Sequence, residues 1–359
     1  MGAIGSAIRP GRLFVAVFCL ALLVGGGYIW DACAGPIDSQ GTVAPFEFAT
    51  QHVTDALSEV RQGVVQLDPD RMIDGIVAMT WGVPASLWAV GACWFLFIFG
   101  LYAVVVLALS FGIQARFEAI VVAERQPPST DRLLDEFTTL CASFIGAWIT
   151  PLAIAALLAI VIMLGSFILL SIPLLSIIGA VLWGVVLLLA LGLAVTLLGL
   201  GISGALLVPT VAVDGCAGPD AMHRAFGLSM ARPLRWLWYL IVMSIGLGVG
   251  LVIVDTVVTL ATWLAMGLGG AWVSGDAFTI AVHGDPTEAS GWSTTATGET
   301  LGFWLVLLQW LVAGWVLCYL AAASTRAWML LRIAIDCTPI EDIWRPGLMR
   351  GTLAPERQD

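Results

Sequence analysis

The chain contains no lysine; all fifteen of its basic residues are arginine. With a net charge of −10 and no basic stripe, it has nothing to lay along a phosphate backbone, so nucleic acid is excluded as an obvious partner. Charge of either sign is scarce, at 11% of residues against about 25% in soluble domains. From Phe137 to Val213 there is no Asp, Glu, Lys or Arg at all, far more than the ~20 residues that one membrane span requires. A soluble domain with this composition would have no polar surface to show to water.

Chemistry-bearing residues are equally thin. The histidines His52, His223 and His283 stand alone, where a zinc site needs several converging ligands. The cysteines Cys19, Cys33, Cys93, Cys141, Cys216, Cys318 and Cys337 are scattered without pairing or metal-type spacing, and read as small apolar fillers. Gly25, Gly26 and Gly27 lie in an apolar run with no following Lys-Ser/Thr, so they make no phosphate loop. The patterns His-Glu-x-x-His, Cys-x-x-Cys and Gly-x-Ser-x-Gly do not occur. No catalytic residue, metal or cofactor is expected.

What is present is apolar length. Residues of that kind make up 60% of the chain, and they predict an all-α polytopic bundle of about six transmembrane helices. The first is 1–30, where Arg9 and Arg12 precede an apolar run to Trp30. That run is long for a signal peptide and reads as a signal anchor, although Ala32-Cys33-Ala34 also suits a cleavage site. An acidic region, 31–84, follows. In it Val53, Leu57, Val60, Val64 and Leu67 fall at spacings of four and three, which predicts a helix. Asp68-Pro69 should end that helix, and a second short helix should run to Trp81. The bundle then occupies 85–345, with spans at about 85–113, 151–171, 177–207, 236–265 and 300–324, ahead of a polar tail at 346–359.

Two turns lie between spans on the acidic side: a tight hairpin at Ser171-Ile172-Pro173, and a Gly/Ser/Thr-rich loop at 274–298. The fifth apolar segment continues to Val273, about 57 Å if helical. It must therefore tilt, break near Ser244, Gly246, Gly248 and Gly250, or project beyond the bilayer.

The chain is organised around 207–239, LVPTVAVDGCAGPDAMHRAFGLSMARPLRWLWY. Here an apolar segment ends at Asp214 and an amphipathic helix runs from Pro219 to Arg232. Met222, Ala225, Phe226, Ser229 and Met230 share one face of it, predicted to lie on the membrane surface. Asp220 and Arg224 are spaced for an i,i+4 pair, while Arg232 and Arg235 flank Pro233 within reach of lipid phosphates. Similar elbows follow GIQARFEAIVVAERQ and occur in AWMLLRIAIDCTPIEDIW. The runs AIVVAE (119–124), TVAVD (210–214) and RIAID (332–336) each close on an acid, with Pro127, Pro219 and Pro339 soon after. These are copies of one duplicated unit, or convergent membrane turns. In the first, Ser129 or Thr130 should cap an interfacial helix bearing Leu133, Leu134, Phe137, Leu140, Cys141 and Phe144, and Pro151 should turn the chain into the next span.

Arginine sets the expected orientation. Thirteen arginines fall on one side (9, 12, 116, 125, 132, 224, 232, 235, 326, 332, 345, 350 and 357) and two, Arg61 and Arg71, on the other. That predicts both termini in the cytoplasm of a bacterium, with the protein in its inner membrane. Trp30, Trp81, Trp88, Trp272 and Trp292 would then mark the outer interface, and Trp236, Trp238, Trp328 and Trp344 the inner one.

On the three elbow motifs the sequence, over most of 85–345, resembles a family of bacterial six-span membrane proteins. It is more remotely similar to the membrane region that accompanies some glycerophosphodiester phosphodiesterases. The resemblance implies architecture and location, and brings no catalytic residues. The expected role is non-enzymatic, a membrane scaffold that organises lipid or protein partners at the cytoplasmic face. The alternative is a small-solute transporter, for which Asp255 and Gln309 are the intramembrane polar candidates.

Overall fold

The computed structural model describes residues 2–35, 43–66, 68–171, 175–270, 292–337, 339–340 and 343–344. The described structure is 92% helical and has no strands. In chain order the helices are α1 (Gly2–Ala7), α2 (Pro10–Ala34), α3 (Pro45–Gln66) and α4 (Pro69–Val77). A π-helical stretch, Ala78–Gly82, precedes α5 (Val83–Ala89) and α6 (Cys93–Glu124). Then come α7 (Thr130–Ser171), α8 (Leu175–Asp214), α9 (Gly218–Ala231), α10 (Pro233–Gly270) and α11 (Trp292–Asp336). Six of them (α2, α6, α7, α8, α10 and α11) are long and apolar enough to cross a membrane. The fold is an all-α polytopic membrane helix bundle, as the apolar runs predict. Large apolar side chains such as Leu188, Leu191 and Leu198 stand exposed along these helices, as lipid-facing positions do.

The helices are continuous where the sequence suggests breaks. α10 runs unbroken through its glycine cluster for 38 residues, which leaves tilt or projection to accommodate its length. α7 passes straight through Pro151, so no separate interfacial helix precedes the third span. The reason is a stripe of buried residues, Glu136, Leu140, Phe144, Ala147, Pro151 and Ala155, at spacings of three and four on both sides of the proline. Losing one N–H costs less than ending one helix and restarting another inside that stripe. Trp292 to Gly298, expected in a loop, are the first turns of α11. The hairpin at 172–174, most of the expected loop, Trp272 and the tail lie outside the described residues.

The chain divides into two compact units. One comprises 10–107 and 246–316. Its core is small: Phe46, Leu87, Ala92 and Phe95, with Trp30 and Phe99 packed against them. Phe95 stacks on Phe99 at 4.8 Å and meets Trp30 edge-on at 5.8 Å. Asp31 caps α3, its carboxylate accepting from Phe46 N at 2.8 Å and Glu47 N at 3.1 Å. Asp68 caps α4 in the same way. The α3–α4 hairpin closes on Ala56, Val60, Gly63 and Gly75. Leu57 points outward, so the seam shares Val60 with the expected face and takes Ala56 in place of Leu57.

The other unit comprises 1–9, 108–245 and 317–359. Its core is far larger and built mostly from small side chains, including Ala115, Ala119, Ala123, Ala212, Ala221, Ala225 and Ala327. Small residues allow close helix approach. A Cβ on Gly218 would sit 2.7 Å from Gly146 Cα, and one on Gly112 would sit 2.6 Å from the Phe144 ring. Trp236 and Trp328 belong to this core and are buried inside the protein, not exposed as belt residues. Trp236 Nε1 donates to Ile202 O at 2.8 Å.

Candidate functional site at the arginine-rich helix ends

The last turn of α8 leaves carbonyls with no partner in their own helix, and donors for three of them come from the next residue and from other parts of the same unit. Gly215 N donates to Val211 O at 2.9 Å, a contact for which Gly215 takes a left-handed φ of 61°. Arg116 of α6 donates to Ala212 O at 2.6 Å. Trp344 N, after α11, donates to Val213 O at 2.9 Å.

Arg116 is the hub. Its side chain is fully buried, and its planar fork reaches three acceptors at once. Besides Ala212 O, Nε meets Glu136 at 2.8 Å and NH2 donates to Trp344 O at 2.7 Å. The Trp344 ring lies 5.8 Å from the guanidinium and fills the space a side chain at Gly215 would take, its Cγ 2.6 Å from such a Cβ. Glu136 also takes Arg132 Nε at 2.9 Å, and Arg132 clasps Glu124 through two contacts of 2.9 Å.

Two further groups use the same ends. Glu118, fully buried, is held by Arg326 at 2.6 Å and by the Ser6 hydroxyl. Asp214, at the end of α8, lies between Arg224 of α9, at 3.1 Å, and Arg332 of α11. Arg332 also faces Asp336 at 3.7 Å. Burial, with the Asp214 charge adding to it, pushes the nearby Cys216 thiol up to about 12, so it stays protonated and inert.

Of the residues singled out in the sequence, the structure brings Asp214 and Arg224 together. Arg224 reaches Asp214 across the elbow and not Asp220 one turn back, because a buried carboxylate attracts it more strongly than an exposed one. Asp220, Arg232 and Arg235 are exposed. Asp255 is half-buried in α10 and Gln309 exposed in α11, both in the other unit. Arg116, Glu118, Glu136 and Trp344 were not anticipated as site residues. The available signal was an Arg and a Glu placed only three and five residues past the expected end of an apolar span.

The face of α9 expected on the membrane surface is divided. Ala221, Ala225 and Ser229 turn into the protein core, because the small residues of α9 allow it to dock where larger ones would not. Met222, Phe226 and Met230 instead line an apolar groove of about 400 Å³, walled by Val195, Leu200 and Leu207 of α8. Beside it along α9 is a cleft of about 350 Å³ lined by Asp214, Arg224, Arg332 and Asp336. His223 and Gly227 border both. Among the described residues, no three His, Cys, Asp or Glu side chains gather as metal ligands. No protein-family model, curated protein or solved structure matches the chain.

Proposed function

We propose that this chain is a non-enzymatic scaffold of a bacterial inner membrane, related to the six-span family its motifs resemble. In this reading both termini and the arginine-rich helix ends face the cytoplasm, where the protein organises lipid and protein partners. The observation that carries the reading is the saturated ion network around Arg116. Its charges are spent on one another and on backbone carbonyls, which fits a rigid platform better than a reaction centre, whose groups need unsatisfied capacity. Arg232 and Arg235, exposed where α9 meets α10, are available to meet partners or lipid phosphates. The unbroken α10 speaks against the interrupted helices on which transport sites are commonly built.

Native extraction with quantitative identification of bound proteins and lipids tests the role. A stoichiometric partner that is lost on Arg232→Gln/Arg235→Gln, at unchanged abundance, is the expected result. Solute uptake into proteoliposomes that disappears on Asp255→Asn would replace this reading with transport. Orientation is tested on native thiols, since Cys33 and Cys337 are both exposed. In intact cells an impermeant maleimide should label a variant retaining only Cys33 and spare one retaining only Cys337.

A further inference from the structure

The apolar groove and the charged cleft lie side by side along α9, with His223 and Gly227 common to their walls. Each has the volume of a ligand site. Together they make an amphipathic pair: one wall of Met, Phe, Val and Leu, the other of two carboxylates and two guanidiniums. The groove reaches back along α8 to Val195, which is itself exposed and lies inside a membrane span. From Val195 to Asp214 is about 28 Å of helix. An apolar chain can thus enter from the bilayer, with its polar end at the cleft.

The charges of the cleft indicate which polar end fits. Asp214 and Asp336 balance Arg224 and Arg332, so an added anion alone would be uncompensated. Buried Asp214, between the two arginines, fixes their positions. Arg224 remains 47% exposed, with only NH1 on Asp214, so its fork retains donors for a phosphate. Asp336, 48% exposed at the rim, is placed for an ammonium.

We propose that groove and cleft form one site for a zwitterionic membrane phospholipid. An acyl chain lies against Phe226 and Met230, the phosphate meets Arg224, and the headgroup ammonium meets Asp336. The proposal rests on the membrane-surface reading above, and gives it a ligand.

Gly227 provides the test. A Cβ there meets nothing within 4 Å, so Gly227→Leu starts from open space and adds bulk at the shared wall. The unfolding temperature of the delipidated full chain in detergent is measured with dioleoylphosphatidylethanolamine, dioleoylphosphatidylglycerol or soluble glycerophosphoethanolamine. At about a hundredfold excess over Kd the zwitterionic lipid should raise it by about 3–4 °C, the anionic lipid by less and the soluble headgroup not at all. Gly227→Leu should keep its lipid-free unfolding temperature and lose the rise. Arg224→Gln should weaken the response to both lipids, and Asp336→Asn should shift preference toward the anionic one. The proposal is overturned if Gly227→Leu responds like the wild type, if the anionic lipid matches the zwitterionic one, or if the soluble headgroup alone suffices. Loss of the protein partner, or discovery of transport, would leave these responses unchanged, so the two readings fail separately.

Discussion

The two units solve the same problem with opposite means. The 10–107/246–316 unit holds its small core with aromatic rings and exposes the Arg71–Asp68 ion pair, whose residues are about half and two-fifths accessible. The other unit packs alanines until helices nearly touch, and places Arg116, Glu118 and Glu136 inside. Exposed ion pairs contribute little. A buried pair is no guarantee of stability either, but removing one partner strands the other, which is expensive. The buried network therefore specifies which helix ends meet, and it tolerates error poorly.

The widest gap between the units should appear at their arginines. Arg116→Leu takes from buried Glu136 one of its two arginines, leaves two carbonyls without their donor and should cost about 3–5 kcal/mol, seen as loss of the monodisperse peak on size-exclusion chromatography in detergent. Arg71→Ala should stay within about 0.5 kcal/mol; equal losses would erase the distinction. Glycine gives the next largest contrast. Gly218→Ala pushes a methyl onto the Gly146 backbone and should cost about 1–3 kcal/mol. Gly267→Ala meets nothing and should be neutral or gain up to about 1 kcal/mol of helix propensity. Thermal unfolding of the two variants checks both.

A double-mutant cycle of Arg116→Lys with Trp344→Phe sharpens the comparison further. Lysine keeps the charge but loses the fork, so a coupling of about 1 kcal/mol is expected, with additivity the result that would dissolve the hub. The smallest effect is chemical. In detergent at pH 8, maleimide should label exposed Cys33 and Cys337 quickly and leave Cys216 untouched until denaturation. Because the folded thiol is pushed up from 9.0 to about 12, its contribution to stability is intact below pH 9. That contribution falls as pH rises from there toward 12.

Much of the bundle was legible in composition. Apolar runs locate helices because the bilayer forces every backbone group into internal hydrogen bonds, and Asp68-Pro69 marks a helix start by local chemistry. What could not be read was the inward side of the elbow. Amphipathicity says that the Met222–Met230 face of α9 avoids water, yet lipid and protein are both apolar, so periodicity cannot separate them. Small residues could have done so: Ala221, Ala225 and Ser229 form a stripe suited to helix contact. Trp236 was misplaced because a tryptophan near a span end suits an interface and a core equally well. The Arg116 hub was hidden by distance, since its partners lie 20, 96 and 228 residues away.

Those separations also set a timetable. At about 5–20 residues per second of synthesis, Glu136 follows Arg116 within a few seconds. Trp344, 228 residues on, takes roughly 10–50 s to appear. Throughout that interval the end of α8, once made, has its Val213 carbonyl unclaimed, and Arg116 has one acceptor fewer than it will finally hold. The helices can be threaded into the bilayer one by one, but the joint that locks their ends stays open until the last of its parts is translated. A nascent chain stalled before Trp344 should therefore be inserted yet remain easily cleaved at the elbow.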